Sequence, residues 1–578
     1  MHRFRLWAPN AEKARVQVDG KKHPLERREG GWWQADADAA GPGTDYAYLV
    51  NDEDRALPDP RSLWQPHGVH GPSRVLDHAA FAWSDAGWQA PSLKSAVIYE
   101  LHIGTFTPEG SFDAAQARLD ALRELGITHV ELMPVASFPG TRGWGYDGVD
   151  LFAPHEPYGG PEALKRFVDA CHAKGLAVLL DVVYNHLGPA GNYLGKFGPY
   201  FTHAHHTPWG DAVNLESAGS HEVRRFFCDN ALMWLRDYHF DGLRLDAVHA
   251  YIDRSAFHFM EQIAAEVHAL EAQTGRHYVV IAESDLNDPR VVTAREAGGY
   301  EMDAQWSDDF HHALVTALSG DRSGYYADFG RLADLAKSLR EVFVVDGCYS
   351  QYRKRVHGRL VRGLPGWRFL GYSQNHDQVG NRAKGERLAH FVSPGRAKIA
   401  AALELTAPFV PMIFQGEEWA ASAPFQYFTD HDAELGKLVS EGRKKEFAAF
   451  GWDPAEVPDP QARETFERSK LNWDERGQGA HAQMLAWYRK LIALRRLAPE
   501  IADGDLARVQ VRFSEEEQWL AMERGRWTVA FSLAQKPVTL EAGSGAAVVL
   551  GSSAEIALRD NRLTLPPDSV VILQTSKE

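Results

Sequence analysis

Apolar positions recur every second residue through the first 90 or so residues. Phe4, Leu6, Val16 and Val18 sit in short alternating runs, broken at Asn10, Asp19-Gly20 and Gly30-Gly31. A further run, 46–50, is followed by the turn-rich Leu57-Pro58-Asp59-Pro60. No helical period occurs there, so the spacing predicts a β-sandwich over 1–92. From about residue 95 short apolar runs alternate with segments of helical period. Strands are predicted at 97–103, 128–135, 177–183, 242–246, 278–283, 304–307, 369–373 and 410–414. Helices are predicted at 111–125, from Pro161 to about 175, and at 221–238, 256–270 and 396–405. Gly126 and Gly175 serve as helix stops. Eight strands alternating with helices imply parallel βα units, and eight such units over some 400 residues imply a (β/α)8 TIM barrel, here 93–498. After an amphipathic helix at 481–497 the strand pattern returns at 519–522, 527–533, 548–550 and 570–573, predicting an antiparallel C-terminal β domain over 499–578. The polar stretch 441–467 reads as a solvated insertion.

Composition narrows the function. The chain has 578 residues and a net charge of −16, from 62 Lys+Arg against 78 Asp+Glu. Such acidity disfavours nucleic acid and anionic membrane surfaces as partners. No apolar run is long enough for a signal peptide or a membrane span. The three cysteines, Cys171, Cys228 and Cys348, are odd in number and widely spaced, which points to buried thiols in a reducing cytoplasm. The 17 Trp, 19 Tyr and 28 Phe fill large cores and also offer flat faces for sugars.

Barrel active sites lie at the C-terminal ends of the strands. The third run ends in Asp181-Val182-Val183-Tyr184-Asn185-His186, the fourth is Gly242-Leu243-Arg244-Leu245-Asp246, the fifth ends in Glu283, and the seventh ends in Gln374-Asn375-His376-Asp377. Strand alternation puts Arg244 and Asp246 on one face. Any one such carboxylate is most simply a cap or a solvated loop residue; four on successive strands of one barrel are not. A guanidinium beside Asp246 favours its ionised form, suited to attack. Glu283 then needs a raised pKa to donate a proton, the division of labour that cleaves glycosidic bonds.

These four segments, in order and at these strand ends, resemble the signature regions of the α-amylase superfamily. The resemblance implies that Asp246 is the nucleophile, Glu283 the general acid/base and Asp377 the transition-state stabiliser. It implies that Arg244, His186 and His376 bind the sugar before the scissile bond, with Tyr146 of Trp144-Gly145-Tyr146-Asp147 stacked beneath it. The N-terminal sandwich is similar to the glucan-binding, Ig-like modules of branching enzymes, debranching enzymes and maltooligosyltrehalose trehalohydrolases. Val97 to Thr107 and Pro66 to Pro72 fit that whole group. Trp306-Ser307-Asp308-Asp309-Phe310-His311-His312, residues 374–382, 414–420 and 424–428, and Glu441-Gly442-Arg443-Lys444-Lys445-Glu446-Phe447 resemble the trehalohydrolases. That implies retaining hydrolysis of the α-1,4 bond next to a terminal trehalose. The partners it implies are an α-glucan substrate and a maltooligosyltrehalose synthase acting in sequence with it. A branching or debranching enzyme is the alternative.

Several residues keep two readings. Asp308 and Asp309 fit substrate contacts on the leaving-group side or caps of the next helix. His249 fits a substrate contact or rim packing. Glu418-Trp419 reads first as buried structure. His203, His205 and His206 read as a solvated loop rather than a metal site, since no further ligand spacing supports one. Asn185 matches a position that holds calcium in some amylases; without further oxygen ligands it is expected to bond backbone at the rim. No metal and no cofactor is expected.

Overall fold

The computed structural model describes residues 2–38, 40–449 and 453–576. The N-terminal 75 residues form two antiparallel sheets. One contains His2–Trp7, Trp32–Ala37 and Glu26–Arg27; the other contains Lys21–Pro24, Ala14–Val18, Asp45–Val50 and Ser73–Arg74. Phe4, Leu6, Val16, Trp33 and Tyr48 are buried in this part of the core. The alternation legible in the sequence is this burial.

The centre is a closed parallel barrel. Its strands are β1 Ile98–Leu101, β2 His129–Leu132, β3 Ala177–Val182, β4 Gly242–Leu245, β5 Val279–Ala282, β6 Ala304–Trp306, β7 Phe369–Gly371 and β8 Val410–Phe414. Closure comes from β8 on β1, with Met412 opposite Ile98 and Phe414 opposite Glu100. All eight expected strands are present, seven of them shorter than expected. One expected helix is divided: Phe112–Gln116 is capped by the Ser111 hydroxyl on the Ala114 N–H, and Leu119–Leu125 follows after a break and ends at Gly126. Gly126, at φ 103°, lies in the left-handed region, where a side chain is strained. The helix Gly160–Ala173 buries Leu164, Phe167, Val168 and Cys171 against the barrel.

Beyond the helix Gly479–Leu497, a five-stranded antiparallel sheet packs on a three-stranded one. Ala521, Leu540, Leu563 and Leu573 are buried between them. This domain is pinned to the barrel by Asp568, which accepts hydrogen bonds from Ser393 and Arg396 at the start of the helix Pro394–Thr406.

Three expectations need correction. The stretch 441–467 is not simply a solvated insertion. It continues the helix Ala433–Ala449, whose Arg443 donates to the Gly380 carbonyl at 2.6 Å, while Phe447 and Val457 are buried; its residues 450–452 lie outside the described residues. The histidines at 203–206 are not in an irregular loop but on the strand Phe201–Thr207, paired with Gly210–Val213. His203 and His206 flank Asp211, and His205 meets Glu216. Cys171 and Cys228 are buried free thiols, but Cys348 is exposed on a hairpin strand.

Candidate active site

A cavity of about 500 Å³ opens at the C-terminal rim of the barrel. Tyr146, His186, Arg244, Asp246, Glu283, His376 and Asp377, the seven residues singled out in the sequence, all line it. Arg244 organises them. It lies on β4, is 1% exposed, and its guanidinium lies over the Trp306 ring at 4.1 Å. One nitrogen, Nη1, donates to Asp246 at 2.8 Å and to Asp181 at 2.7 Å; the other, Nη2, lies 2.9 Å from Glu283. Three carboxylates from three adjacent strands thus converge on one cation. Gly242 makes this packing possible, since a Cβ there would lie 2.4 Å from the Val279 carbonyl. Immediately after Asp246, Ala247 adopts φ 41°, a strained value for a residue with a Cβ. That turn aims its N–H at Glu283 Oε2, 2.8 Å away.

A second set of contacts runs through the barrel to β1. Glu100 Oε1 is 2.5 Å from His376 Nδ1, and Glu100 Oε2 accepts the His376 backbone N–H at 3.0 Å. His376 Nε2 lies 2.8 Å from the Tyr146 hydroxyl, which donates to Asp181 at 2.6 Å. The chain is therefore Glu100, His376, Tyr146, Asp181, Arg244. Gly145, at φ 102° and with no room for a Cβ beside the Pro134 carbonyl at 2.1 Å, makes the turn that delivers Tyr146. Asn375 caps the short helix His376–Gly380 through the Asp377 and Gln378 N–H groups, and Asn381 donates to Asp377 at 2.6 Å. His186 Nε2 donates to the Tyr146 carbonyl, 3.0 Å away, and its ring stacks on Trp209 at 4.8 Å.

The charges follow from burial and neighbours. Burial works against a charged His376, but Glu100 outweighs it and raises the imidazole pKa. Both ring nitrogens face oxygens, Glu100 and the Tyr146 hydroxyl, contacts that favour the imidazolium. His186 has no such partner, and burial lowers it to about 4, so it is neutral. Burial raises Asp377 and Asp181. For Asp246, burial and then repulsion from Glu283 push the carboxyl well above the usual range. Burial also opposes ionisation of Glu283, but Arg244 and the Ala247 N–H outweigh it and hold the group below its ordinary value. These directions run opposite to the sequence expectation of an ionised Asp246 and a raised Glu283. Three carboxylates share the one guanidinium, so they titrate as a coupled group.

Around the mouth, Asp308 and Asp309 separate. Neither side chain caps the helix Asp308–Ser319. Asp308 lines the cavity, accepts from Tyr372 at 2.7 Å and from Gln378 at 3.1 Å, and is raised by burial to about 7. Asp309 faces away and accepts the N–H groups of Val344 and Val345 at 2.6 and 2.8 Å. His249 lines the cavity, with Nδ1 3.7 Å from Asp285. Trp419 is fully buried and donates to Glu475, as a structural tryptophan would. Asn185 does not bond backbone: it is 1% exposed, and neither its Oδ1 nor its Nδ2 has a partner. Among the described residues no group of three His, Cys, Asp or Glu is placed to hold a metal ion. Glu100 and Trp209 were not among the expected site residues; Asp181, which ends an apolar run, was one of the four strand-end carboxylates but was given no role.

An eight-stranded parallel barrel with this carboxylate–arginine rim defines a glycoside hydrolase barrel of the α-amylase type. The alpha amylase catalytic domain family matches residues 79–197, carbohydrate-binding module 48 (isoamylase N-terminal domain) matches 1–65, and a domain of unknown function, DUF3459, matches 504–572. The chain is 49% identical to the malto-oligosyltrehalose trehalohydrolase of Rhizobium sp. strain M-11, covering 99% of this chain and 97% of that one. It is 51% identical to the enzyme of that name from Arthrobacter ramosus, over 95% and 96% of the two chains. A crystal structure from Salmonella typhimurium, provisionally described as an alpha amylase, superposes with a TM-score of 0.91 at 37% identity, covering 99% and 97%. The Paenibacillus barengoltzii pullulanase bound to maltohexaose shares the fold, with a TM-score of 0.74 at 21% identity over 100% and 94%. The chain belongs to the malto-oligosyltrehalose trehalohydrolase family.

Proposed function

We propose that this protein hydrolyses the α-1,4-glucosidic bond next to the terminal trehalose of maltooligosyltrehalose, releasing trehalose and a maltooligosaccharide. The observation that carries the chemistry is the pairing of Asp246 and Glu283 on the two terminal nitrogens of Arg244, facing the cavity. The observation that carries the substrate is the full-length similarity to enzymes of that name.

Asp246 attacks the anomeric carbon while Glu283 protonates the departing trehalose oxygen. Attack requires the proton of the coupled carboxylates on Glu283; a glycosidic oxygen that accepts from Glu283 favours that arrangement. A covalent glycosyl-enzyme forms, and water deprotonated by Glu283 releases it with retained configuration. Asp377 and the His376 cation bind the sugar hydroxyls and strengthen as the ring gains positive charge. Tyr146 stacks beneath that sugar, and His186 and Arg244 orient it.

The substrate must be made by an enzyme that turns the reducing end of a maltooligosaccharide into a trehalose, the role of a maltooligosyltrehalose synthase. Unpaired thiols favour a cytoplasmic site of action. No helix among the described residues is long and apolar enough to cross a membrane. Proton NMR of fresh digests of maltotriosyltrehalose tests the mechanism. Free trehalose with maltotriose first appearing as its α-anomer is expected; initial β-anomer would overturn the nucleophilic role of Asp246.

A further inference from the structure

The helix Ala433–Ala449 carries the segment Glu441 to Phe447, to which the mechanism above gives no part. Its Arg443 has a side chain only 11% exposed, and the guanidinium lies over the rings of Tyr427 at 5.1 Å and Phe447 at 4.6 Å. The head of the side chain meets the short helix His376–Gly380 at its end. Nη2 donates to the Gly380 carbonyl at 2.6 Å. Nη1 donates to Asn381 Oδ1 at 3.2 Å and lies 3.5 Å from Glu446. Asn381 follows Asp377 by one helical turn. Its backbone N–H returns to the Asp377 carbonyl at 2.9 Å, and its Nδ2 donates to Asp377 Oδ1 at 2.6 Å.

The two ends of a carboxamide differ: one only accepts and the other only donates. A guanidinium has no acceptor, so it selects the Asn381 oxygen and thereby turns the nitrogen to Asp377. Without that selection the amide is free to turn its oxygen to the carboxylate, setting acceptor against acceptor. We infer that Arg443 is a positioning residue for the reaction: through the Asn381 amide it fixes the orientation of the Asp377 carboxylate, so that a helix outside the barrel completes the catalytic rim. The inference rests on the proposed function only for the role given to Asp377. Donation from Nδ2 also favours the charged carboxylate. Burial works against that charge most, Glu283 and Glu100 add to the opposition, and His376 and Arg244 support the charge. Asp308, across the cavity, also repels Asp377.

Arg443→Met keeps an apolar stem between Tyr427 and Phe447 and removes the donors. Asn381→Ala removes the relay. The assay is kcat and KM for trehalose release from maltotriosyltrehalose, pH 4 to 9, in the wild type, both single variants and the double variant. Loss of a hydrogen bond to a charged group is expected to lower kcat roughly tenfold in each single variant. KM should stay within about threefold, and the acid limb of kcat should move to higher pH. The double variant should fall no more than about twofold below the poorer single, because both act on one contact. Losses that multiply in the double variant, or wild-type kcat in Arg443→Met, overturn the inference. Should Arg443→Met fail to fold, Asn381→Asp decides: it leaves Arg443 a partner but sets a carboxylate against Asp377, so kcat should fall below that of Asn381→Ala, and a kcat equal to or above it overturns the inference. A wild type that releases no trehalose overturns the proposed function instead, and the same ratios are then read on the glucan that the wild type does cleave.

Discussion

Replacing Glu100 by glutamine perturbs the catalytic rim from the far side of the barrel with almost no change in volume. Glu100 is 1% exposed and accepts two hydrogen bonds from His376, one from the ring and one from the backbone. Glutamine offers one acceptor oxygen and one donor amide, so one of the two His376 donors is left facing an N–H group. A hydrogen bond to a charged group contributes about 1.5–3 kcal/mol, and an orphaned buried donor costs about 1–3 kcal/mol. The variant also removes the attraction that raises His376, leaving burial to lower it. The substitution therefore shifts the imidazole from its charged toward its neutral form. With about 1.36 kcal/mol per decade, the transition state loses roughly ten- to a hundredfold in kcat/KM. The deficit should shrink as pH falls toward 5 and His376 regains its proton. Stability follows the same linkage. A raised folded pKa contributes stability that is full below the unfolded value of about 6.5 and is lost as pH rises through the folded value. The assay is kcat/KM for trehalose release from pH 5 to 8, with thermal unfolding over the same range. A loss of constant size at every pH would show that Glu100 acts through packing alone, and no loss would remove His376 charge from the chemistry.

Three further outcomes are expected. Asp246→Ala should lower kcat by at least about 10⁴ while leaving the melting temperature near the wild-type value, because Asp181 and Glu283 still neutralise Arg244; retained turnover would exclude Asp246 as nucleophile. At the other end of the barrel His172 is buried between Asp85 and Asp241, at 2.8 and 3.0 Å, and these partners raise its pKa against burial. In His172→Asn the melting-temperature deficit should be largest at pH 6 and smaller at pH 9, since the wild-type advantage is lost as pH rises through the raised folded pKa; a flat difference would show that the residue is not charged. Asp309→Ala leaves the Val344 and Val345 N–H groups without an acceptor, at about 1–3 kcal/mol each, and frees the segment leading to Tyr352 and Arg353 at the cavity mouth. A lower melting temperature and a raised KM are expected, and an unchanged KM would separate that segment from substrate binding.

The barrel and most of its rim were legible because both follow local rules. Apolar runs of strand length mark β1 to β8, and the polar residues that end β3, β4, β5 and β7 face the cavity because barrel sites lie at strand ends. What was not legible depends on closure. Glu100 sits inside an apolar run of β1 and looks like any strand residue; only the pairing of β8 with β1 brings it to His376, 276 positions away in the chain. The proton distribution between Asp246 and Glu283 could not be read from Arg244-Leu245-Asp246 alone, because Arg244 is shared among three carboxylates and the Ala247 N–H favours Glu283. Asp308 and Asp309 are adjacent in sequence yet face the cavity and the 344–345 backbone respectively, a division set by loops that follow no periodic pattern.

The most direct test compares maltotriosyltrehalose with maltopentaose, two five-glucose chains that differ only in the linkage at one end. Rapid release of free trehalose from the first and slow attack on the second are the outcome trehalohydrolase chemistry predicts. Equal attack on both, or new α-1,6 links with no trehalose, would contradict it while leaving the carboxylate–arginine rim in place.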